Sequence, residues 1–205
     1  MTASPHITRD ATVVYTIGHS NHAIEKFIAL LRAHSSARGA DVRSHPYSRF
    51  NPQFGARRLA ASLEEAGIAY EFLGRELGAR STDESCIVDG KVEYARLART
   101  APFARALERV AAAAARERVA LVCAEKDPLD CHRAILVCRE LLALGVDARH
   151  IREDGRLEGR AELDARVLAS AGAADRDLFI GEAERLAAAY RHRGGEIAFR
   201  PETRR

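Results

Sequence analysis

The sequence has few cysteines, no long apolar run and little net charge, and each of these absences excludes a class of protein. Four cysteines in 205 residues are too few for a disulfide scaffold, so we expect free thiols or ligands in a reducing compartment. No apolar run is long enough to span a bilayer, and residues 1–10 lack the apolar core of a signal peptide. We therefore expect a cytoplasmic protein without a membrane partner.

The charge balance and the composition are those of an ordinary globular chain. The formal net charge of +3 is too small to indicate nucleic-acid binding by itself. Hydrophobic residues make up 47% of the sequence, which argues against a wholly disordered protein, and the length is sufficient for a domain with a substantial core. The sequence contains no internal repeat and no clear linker.

Strand-like and helix-like segments alternate along most of the chain. Short runs of apolar and β-branched residues predict strands, and amphipathic or alanine-rich stretches between them predict helices. The predicted strands are 12–17, 39–42, 68–73, 119–123 and 148–151, and the predicted helices are 24–31, 54–66, 92–116 and 131–144. Pro102 is expected either to kink or to divide the helix over 92–116. Parallel strands need crossover helices, so this order predicts an α/β fold of the Rossmann or flavodoxin-like kind, with a mostly parallel open sheet and helices on both faces.

The alternating pattern ends near residue 156. Residues 10–156 are predicted to form the α/β domain. Residues 157–205 are more highly charged and predict a helical C-terminal extension that ends in a basic tail. The predicted organisation is therefore an α/β domain with a C-terminal helical appendage.

The residues that follow the predicted strands are rich in arginine, histidine and glycine. In open α/β sheets, ligands bind outside the carboxyl ends of the strands, so these residues are candidates for a site. The predicted ligand-binding residues are Gly18, Ser20, Asp41, Arg43, Ser44, Arg49, Glu125 and Arg133. Arginine binds phosphate and carboxylate groups, and glycine lets the backbone approach a ligand closely. This edge therefore predicts a cationic pocket for a small anionic or nucleotide-like ligand.

A thiol, an imidazole and a guanidinium follow one another at Cys131, His132 and Arg133, in the predicted first turn of a helix that Asp130 would cap. Free backbone N–H groups and the helix dipole favour anions there and lower the pKa of a nearby thiol. We interpret Cys131 as a nucleophile or redox group, with His132 or His19 as the acid/base group. This interpretation describes a thiol-dependent hydrolase or transferase.

Two other interpretations stay open at this point. In one, Cys123, Cys131, His132 and His19 bind a metal ion, although the cysteines lack a Cys-x-x-Cys spacing. Otherwise Cys123 is expected to be a packed core thiol. In the other, the protein is a nucleic-acid-binding module whose dispersed arginines contact phosphates. The sequence indicates no particular cofactor.

Four ordered motifs carry a resemblance to a known family. The segments Thr16 to Ser20, Asp41 to Arg49, Leu73 to Gly78 and Cys123 to Arg133 resemble the successive motifs of the Domain of Unknown Function 488 family. The resemblance runs from about residue 13 to residue 154 and leaves out the charged C-terminal stretch. It implies a compact α/β domain in which these motifs are important, and it implies no particular activity.

Overall fold

A computed structural model describes residues 12–172 and 181–201. The strands are β1 (Thr12–Gly18), β2 (Arg38–Asp41), β3 (Ala69–Phe72), β4 (Ile87–Val88), β5 (Lys91–Val92), β6 (Val119–Cys123), β7 (Val146–Ile151) and β8 (Leu157–Gly159). The helices are α1 (Ile24–Ala33), α2 (Ala56–Glu65), α3 (Gly74–Leu77), α4 (Tyr94–Ala98), α5 (Ala101–Ala114), α6 (Arg139–Ala143), α7 (Arg160–Ser170) and α8 (Glu182–Ile197). A π-helical segment, Arg133–Cys138, leads directly into α6.

Six strands form one sheet in the order β3-β2-β6-β1-β7-β8. The first five strands in that order are parallel, and β8 pairs with β7 in the antiparallel direction. The predicted α/β fold with a mostly parallel open sheet is therefore confirmed. Strands β1 and β6 are neighbours near the centre of the sheet, with Gly18 opposite Cys123.

Helices cover both faces of the sheet, and the central strand β6 is therefore buried on both sides. Every residue of this strand is buried. Leu121 belongs to the core that includes Phe103 of α5, whereas its neighbour Val122 belongs to the core that includes Phe27 of α1 and Leu59 of α2. Alternate side chains of a strand point to opposite faces, so the short apolar run in the sequence supplies both cores at once.

The predicted C-terminal extension begins with β8, the edge strand of the sheet. Its helices α7 and α8 contribute Leu163, Val167 and Ala189 to a third apolar cluster, which also includes Ala134 and Ile135 of the π-helical segment. The boundary between an α/β domain and a separate extension remains a prediction, and the last residues of the basic tail, 202–205, lie outside the described residues. None of the described helices is long and apolar enough to cross a membrane.

The long helical stretch predicted over residues 92–116, which Pro102 is expected either to kink or to divide, forms two helices. Helix α4 ends at Ala98, and α5 begins at Ala101 with Thr100 as its N-terminal cap residue. Pro102 therefore lies in the first turn of α5, where its missing N–H removes no helical hydrogen bond. Proline divides this alanine-rich stretch rather than kinking it.

The helix predicted to begin at Cys131 begins one residue later, at His132, and the prediction that Asp130 is its cap is wrong. Cys131 has an extended backbone, and the π-helical segment begins two residues later. The Asp130 carboxylate pairs with Arg193 of α8 instead of capping a helix. Asp127 accepts a hydrogen bond from the backbone N–H of Leu129 and so caps the short turn before Cys131.

Candidate functional site

A cavity of about 430 Å³ lies at the carboxyl ends of β1, β2 and β6. Its volume is in the range of small-molecule sites, and its position follows the rule for open α/β sheets. The predicted site residues on its wall are His19, Ser20, Arg43, Ser44, Glu125 and His132, and Cys123 joins them. The remaining predicted residues, Gly18, Asp41, Arg49, Cys131 and Arg133, do not line the cavity.

Four side chains meet at this wall of the cavity. Sulfur, oxygen and nitrogen atoms of Cys123, Glu125, Cys131 and His132 all lie within 4.8 Å of one another. Each sulfur atom is 3.0 Å from Glu125 Oε2, and the sulfur of Cys123 is 3.7 Å from His132 Nδ1. Both thiols are buried, whereas Glu125 is exposed. We call this set the Cys–Glu–His cluster.

The imidazole of His132 is oriented by the end of β2. Its Nε2 atom lies 3.0 Å from the carbonyl oxygen of Val42. A carbonyl oxygen only accepts hydrogen bonds, so the Nε2 atom of His132 carries a proton. When the ring is neutral, its Nδ1 atom therefore has a lone pair that faces the cluster. A histidine that binds a metal almost always donates its other ring N–H in this way.

The charges around the two thiols favour one thiolate between them. Burial opposes ionisation of Cys131, but its hydrogen bond with Cys123 and the charges of Arg133 and His132 hold its pKa well below the ordinary value. Burial and the hydrogen bond to Cys131 raise the pKa of Cys123. Burial lowers the pKa of His132, but the hydrogen bond to Cys131 and the charge of its thiolate outweigh this effect, so the pKa is raised. The cluster therefore favours a thiolate, the form of cysteine that attacks electrophiles and binds metals.

Arg133, which the sequence predicts to be a ligand anchor, does not line the cavity. Its side chain is fully buried. Its guanidinium donates hydrogen bonds to the carbonyl oxygens of Glu125 at 2.7 Å and Lys126 at 3.3 Å, and to Thr16 Oγ1 at 3.3 Å. Arg133 therefore stabilises the loop that carries Glu125, because two backbone carbonyl groups of that loop accept hydrogen bonds from its guanidinium.

Arg43 lines the cavity, but Asp41 already compensates its charge. The guanidinium donates two hydrogen bonds to the Asp41 carboxylate, at 2.8 and 2.6 Å. The backbone N–H of Arg43 and the hydroxyl of Tyr70 donate two more, at 3.1 and 2.9 Å. The cavity is therefore less cationic than the sequence predicts. Arg80 on the same wall makes no ion pair within the described part of the chain and lies over the ring of Phe199.

His19 lies on the cavity wall but outside the cluster. Its Nδ1 atom is 2.8 Å from the carbonyl oxygen of Ser20, and its ring stacks on Phe54 at 4.3 Å between centroids. Burial lowers the pKa of His19 to about 4, so the ring is neutral near pH 7. Glu125 takes the place that the metal interpretation of the sequence gave to His19. The sequence interpretation treated Glu125 as a ligand-binding residue because spacing within a turn does not show where a side chain points.

A family model described as Domain of unknown function DUF488 matches residues 23–139, more than half of the chain. The matched span begins after β1, so the first of the four motifs, Thr16 to Ser20, lies outside it. The span includes all four residues of the Cys–Glu–His cluster and ends at the start of α6. No curated protein and no solved structure matches the chain significantly.

Proposed function

The chain belongs to the family described as Domain of unknown function DUF488, and we propose that it is an enzyme with a single metal ion at the Cys–Glu–His cluster. The observation that carries this proposal is the approach of four ligand atoms from Cys123, Glu125, Cys131 and His132 to within 4.8 Å of one another. Thiolate, imidazole and carboxylate are the ligands that Zn²⁺ takes in tetrahedral sites, and thiolates favour zinc over harder ions.

The separations within the cluster are close to those of a tetrahedral site. With bonds of about 2.3 Å to sulfur and about 2.1 Å to nitrogen or oxygen, neighbouring ligand atoms stand roughly 3.5 Å apart. Three of the six separations in the cluster are 3.0, 3.0 and 3.7 Å, and the others are within 4.8 Å. To admit an ion, the Glu125 oxygen would have to move about half an ångström away from each sulfur atom.

The position of the cluster favours a catalytic ion over a structural one. Structural zinc sites are closed, whereas catalytic sites combine three protein ligands, Cys₂His among the known sets, with an exchangeable fourth position. Cys123 and His132 line the cavity, and Glu125 is the exposed member of the cluster on a surface loop. Glu125 is thus the ligand that a water molecule or a substrate can replace. We propose a small polar substrate, with Arg80 available to an anionic group.

A thiol-dependent enzyme is the second candidate function. The sulfur of Cys123 lines the cavity and lies 3.7 Å from an imidazole nitrogen, and a thiol whose pKa is raised needs such a base to take its proton. The sequence interpretation placed the nucleophile at Cys131, but the Cys131 side chain does not line the cavity. Under this alternative, Cys123 would attack the substrate, and His132 would carry the proton.

Metal analysis of the purified full chain distinguishes these two functions. We expect about one equivalent of zinc, and we expect Co²⁺ to replace it with the absorption bands of thiolate coordination. Cys123→Ser and Cys131→Ser should lose the ion. Cys138→Ser, a buried thiol outside the cluster, is the matched control and should retain it.

Thiol labelling gives an independent measurement on the wild-type protein. In the metal reading, a chelator should expose Cys123 and Cys131 to iodoacetamide together. No bound metal, no Co²⁺ spectrum and rapid alkylation of Cys123 alone would overturn the metal centre and support the thiol-dependent enzyme.

A further inference from the structure

The loop after β2 and the first turn of α2 present an exposed aromatic and basic surface. This surface lies beside the cavity at the carboxyl ends of β1, β2 and β6, which we call the metal cavity. Tyr47 is 75% exposed and Phe50 is 87% exposed, and Arg49, Arg57 and Arg58 are exposed as well. The guanidinium of Arg49 lies 5.9 Å from the centre of the Phe50 ring, and exposed apolar groups of this size mark interaction sites. We call these five residues the arginine–aromatic surface.

The positive charge of this surface is not compensated by neighbouring side chains. Within residues 12–172 and 181–201, no carboxylate lies within ion-pair distance of Arg49, Arg57 or Arg58. In contrast, the buried Arg43 is held by Asp41. Three guanidinium groups without a carboxylate partner in the described ranges therefore lie around a second groove, which attracts phosphate groups.

The groove and the metal cavity share a wall. Tyr47 and Ser48 line both of them. The phosphates of a bound nucleic-acid strand can therefore contact the arginines while one base stacks on an aromatic ring. The same strand can extend from the groove into the cavity. Proteins that bind single strands combine a positive groove with aromatic rings in this manner.

We propose that the arginine–aromatic surface binds single-stranded nucleic acid and that one nucleotide of the strand enters the metal cavity. The entry step rests on the proposed function, whereas binding of the strand does not. A flexible strand fits the recessed cavity, because unstacked bases can turn away from their neighbours. The formal net charge of only +3 agrees with a small footprint of a few phosphates.

The proposal is tested by measuring the affinity for a labelled single-stranded oligonucleotide of about 12 residues, as DNA and as RNA. Fluorescence anisotropy gives this affinity at a series of salt concentrations. The double variant Arg57→Gln, Arg58→Gln should reduce the slope of log affinity against log salt by about 1.4, since each phosphate contact contributes about 0.7. Tyr47→Ala or Phe50→Ala should weaken binding by at least about fivefold with little change in that slope.

The matched control is Arg99→Gln, Arg105→Gln. These arginines are exposed and make no ion pair within the described residues. They belong to the α4–α5 region, which packs in the core that includes Phe103, whereas α2 packs in the core that includes Phe27. The control should leave both affinity and slope unchanged. An equal effect of both pairs would indicate diffuse charge and would overturn the proposal.

The same assay on chelator-treated wild-type protein separates this proposal from the metal centre. Strand binding should persist after the metal is removed, and the Arg57, Arg58 variant should retain its metal. Failure to bind oligonucleotide at low salt would overturn the inference, whatever the metal content. Tighter binding to duplex DNA or to vesicles containing phosphatidylserine than to the single strand would also overturn it.

Discussion

The backbone carbonyl oxygen of Glu125 occupies the space that a side chain on Gly18 would need. A Cβ atom at residue 18 would overlap this oxygen. Gly18 ends β1 opposite Cys123, so the loop that follows Cys123 lies directly across the end of β1. The glycine therefore allows the loop that carries Glu125 to pack against the end of β1. The sequence predicted instead that Gly18 allows a ligand to approach the backbone.

Replacing Gly18 with alanine should move Glu125 and weaken metal binding. The new methyl group must displace the loop, and disturbances around metal ligands typically cost about 10- to 100-fold in affinity. A competition titration with a zinc chelator measures this loss. Gly195→Ala on α8 is the control, because nothing in the described part of the chain outside its own helical backbone lies within 4 Å of its Cβ position. Unchanged zinc affinity in Gly18→Ala would contradict the role of this contact.

Arg133→Gln should destabilise the fold. The substitution leaves the inward carbonyl groups of Glu125 and Lys126 without a donor, and an unpaired buried acceptor costs about 1–3 kcal/mol. We expect the free energy of unfolding in urea, measured with chelator present, to fall by about 2–4 kcal/mol. The exposed substitution Arg99→Gln should change it by less than about 0.5 kcal/mol. Wild-type stability together with a loss of anion binding would restore the ligand-anchor interpretation of Arg133.

Breaking the buried pair of Asp41 and Arg43 should also be costly. Asp41→Asn leaves the Arg43 guanidinium buried without its counter-charge, for which we expect a loss of about 3–5 kcal/mol. Arg43→Met should cost a similar amount, but the double variant should lose much less than the sum, because neither charge remains unpaired. Urea unfolding of the four proteins in this cycle measures the coupling. Additive losses would show that the two side chains act independently.

The sequence predicts where the site lies better than it predicts what each residue does there. The strand order follows from apolar runs such as residues 119–122, and parallel strands bring the loops after β1, β2 and β6 to one edge. For this reason His19, Arg43 and His132 all lie around the cavity. The direction of side chains in the turn after Cys123 depends on backbone geometry that has no sequence period. Spacing alone therefore places Arg133 near the site but does not show that it points into the interior.

Mild acid should destabilise the protein through His150. This side chain is buried, its Nδ1 atom lies 2.8 Å from Thr16 Oγ1, and burial lowers its pKa to about 3. The histidine of an unfolded chain has a pKa of about 6.5. As the pH falls below that value, the unfolded state takes up a proton that the folded state does not, so stability is lost between about pH 6.5 and pH 3. At about pH 4.5, this loss amounts to roughly 2–3 kcal/mol.

The measurement is urea unfolding at neutral pH and at about pH 4.5, on metal-stripped protein so that release of an ion does not contribute. His150→Asn should lower stability at neutral pH because it disturbs the contact with Thr16, but it should lose roughly 2–3 kcal/mol less than the wild type between the two pH values. His192→Asn, at an exposed position on α8, is the control and should retain the pH dependence of the wild type. Equal acid sensitivity of His150→Asn and the wild type would mean that His150 is already protonated in the folded protein. In that case Thr16 Oγ1 would accept hydrogen bonds both from the His150 ring and from Arg133, and the two buried positive charges would share one acceptor.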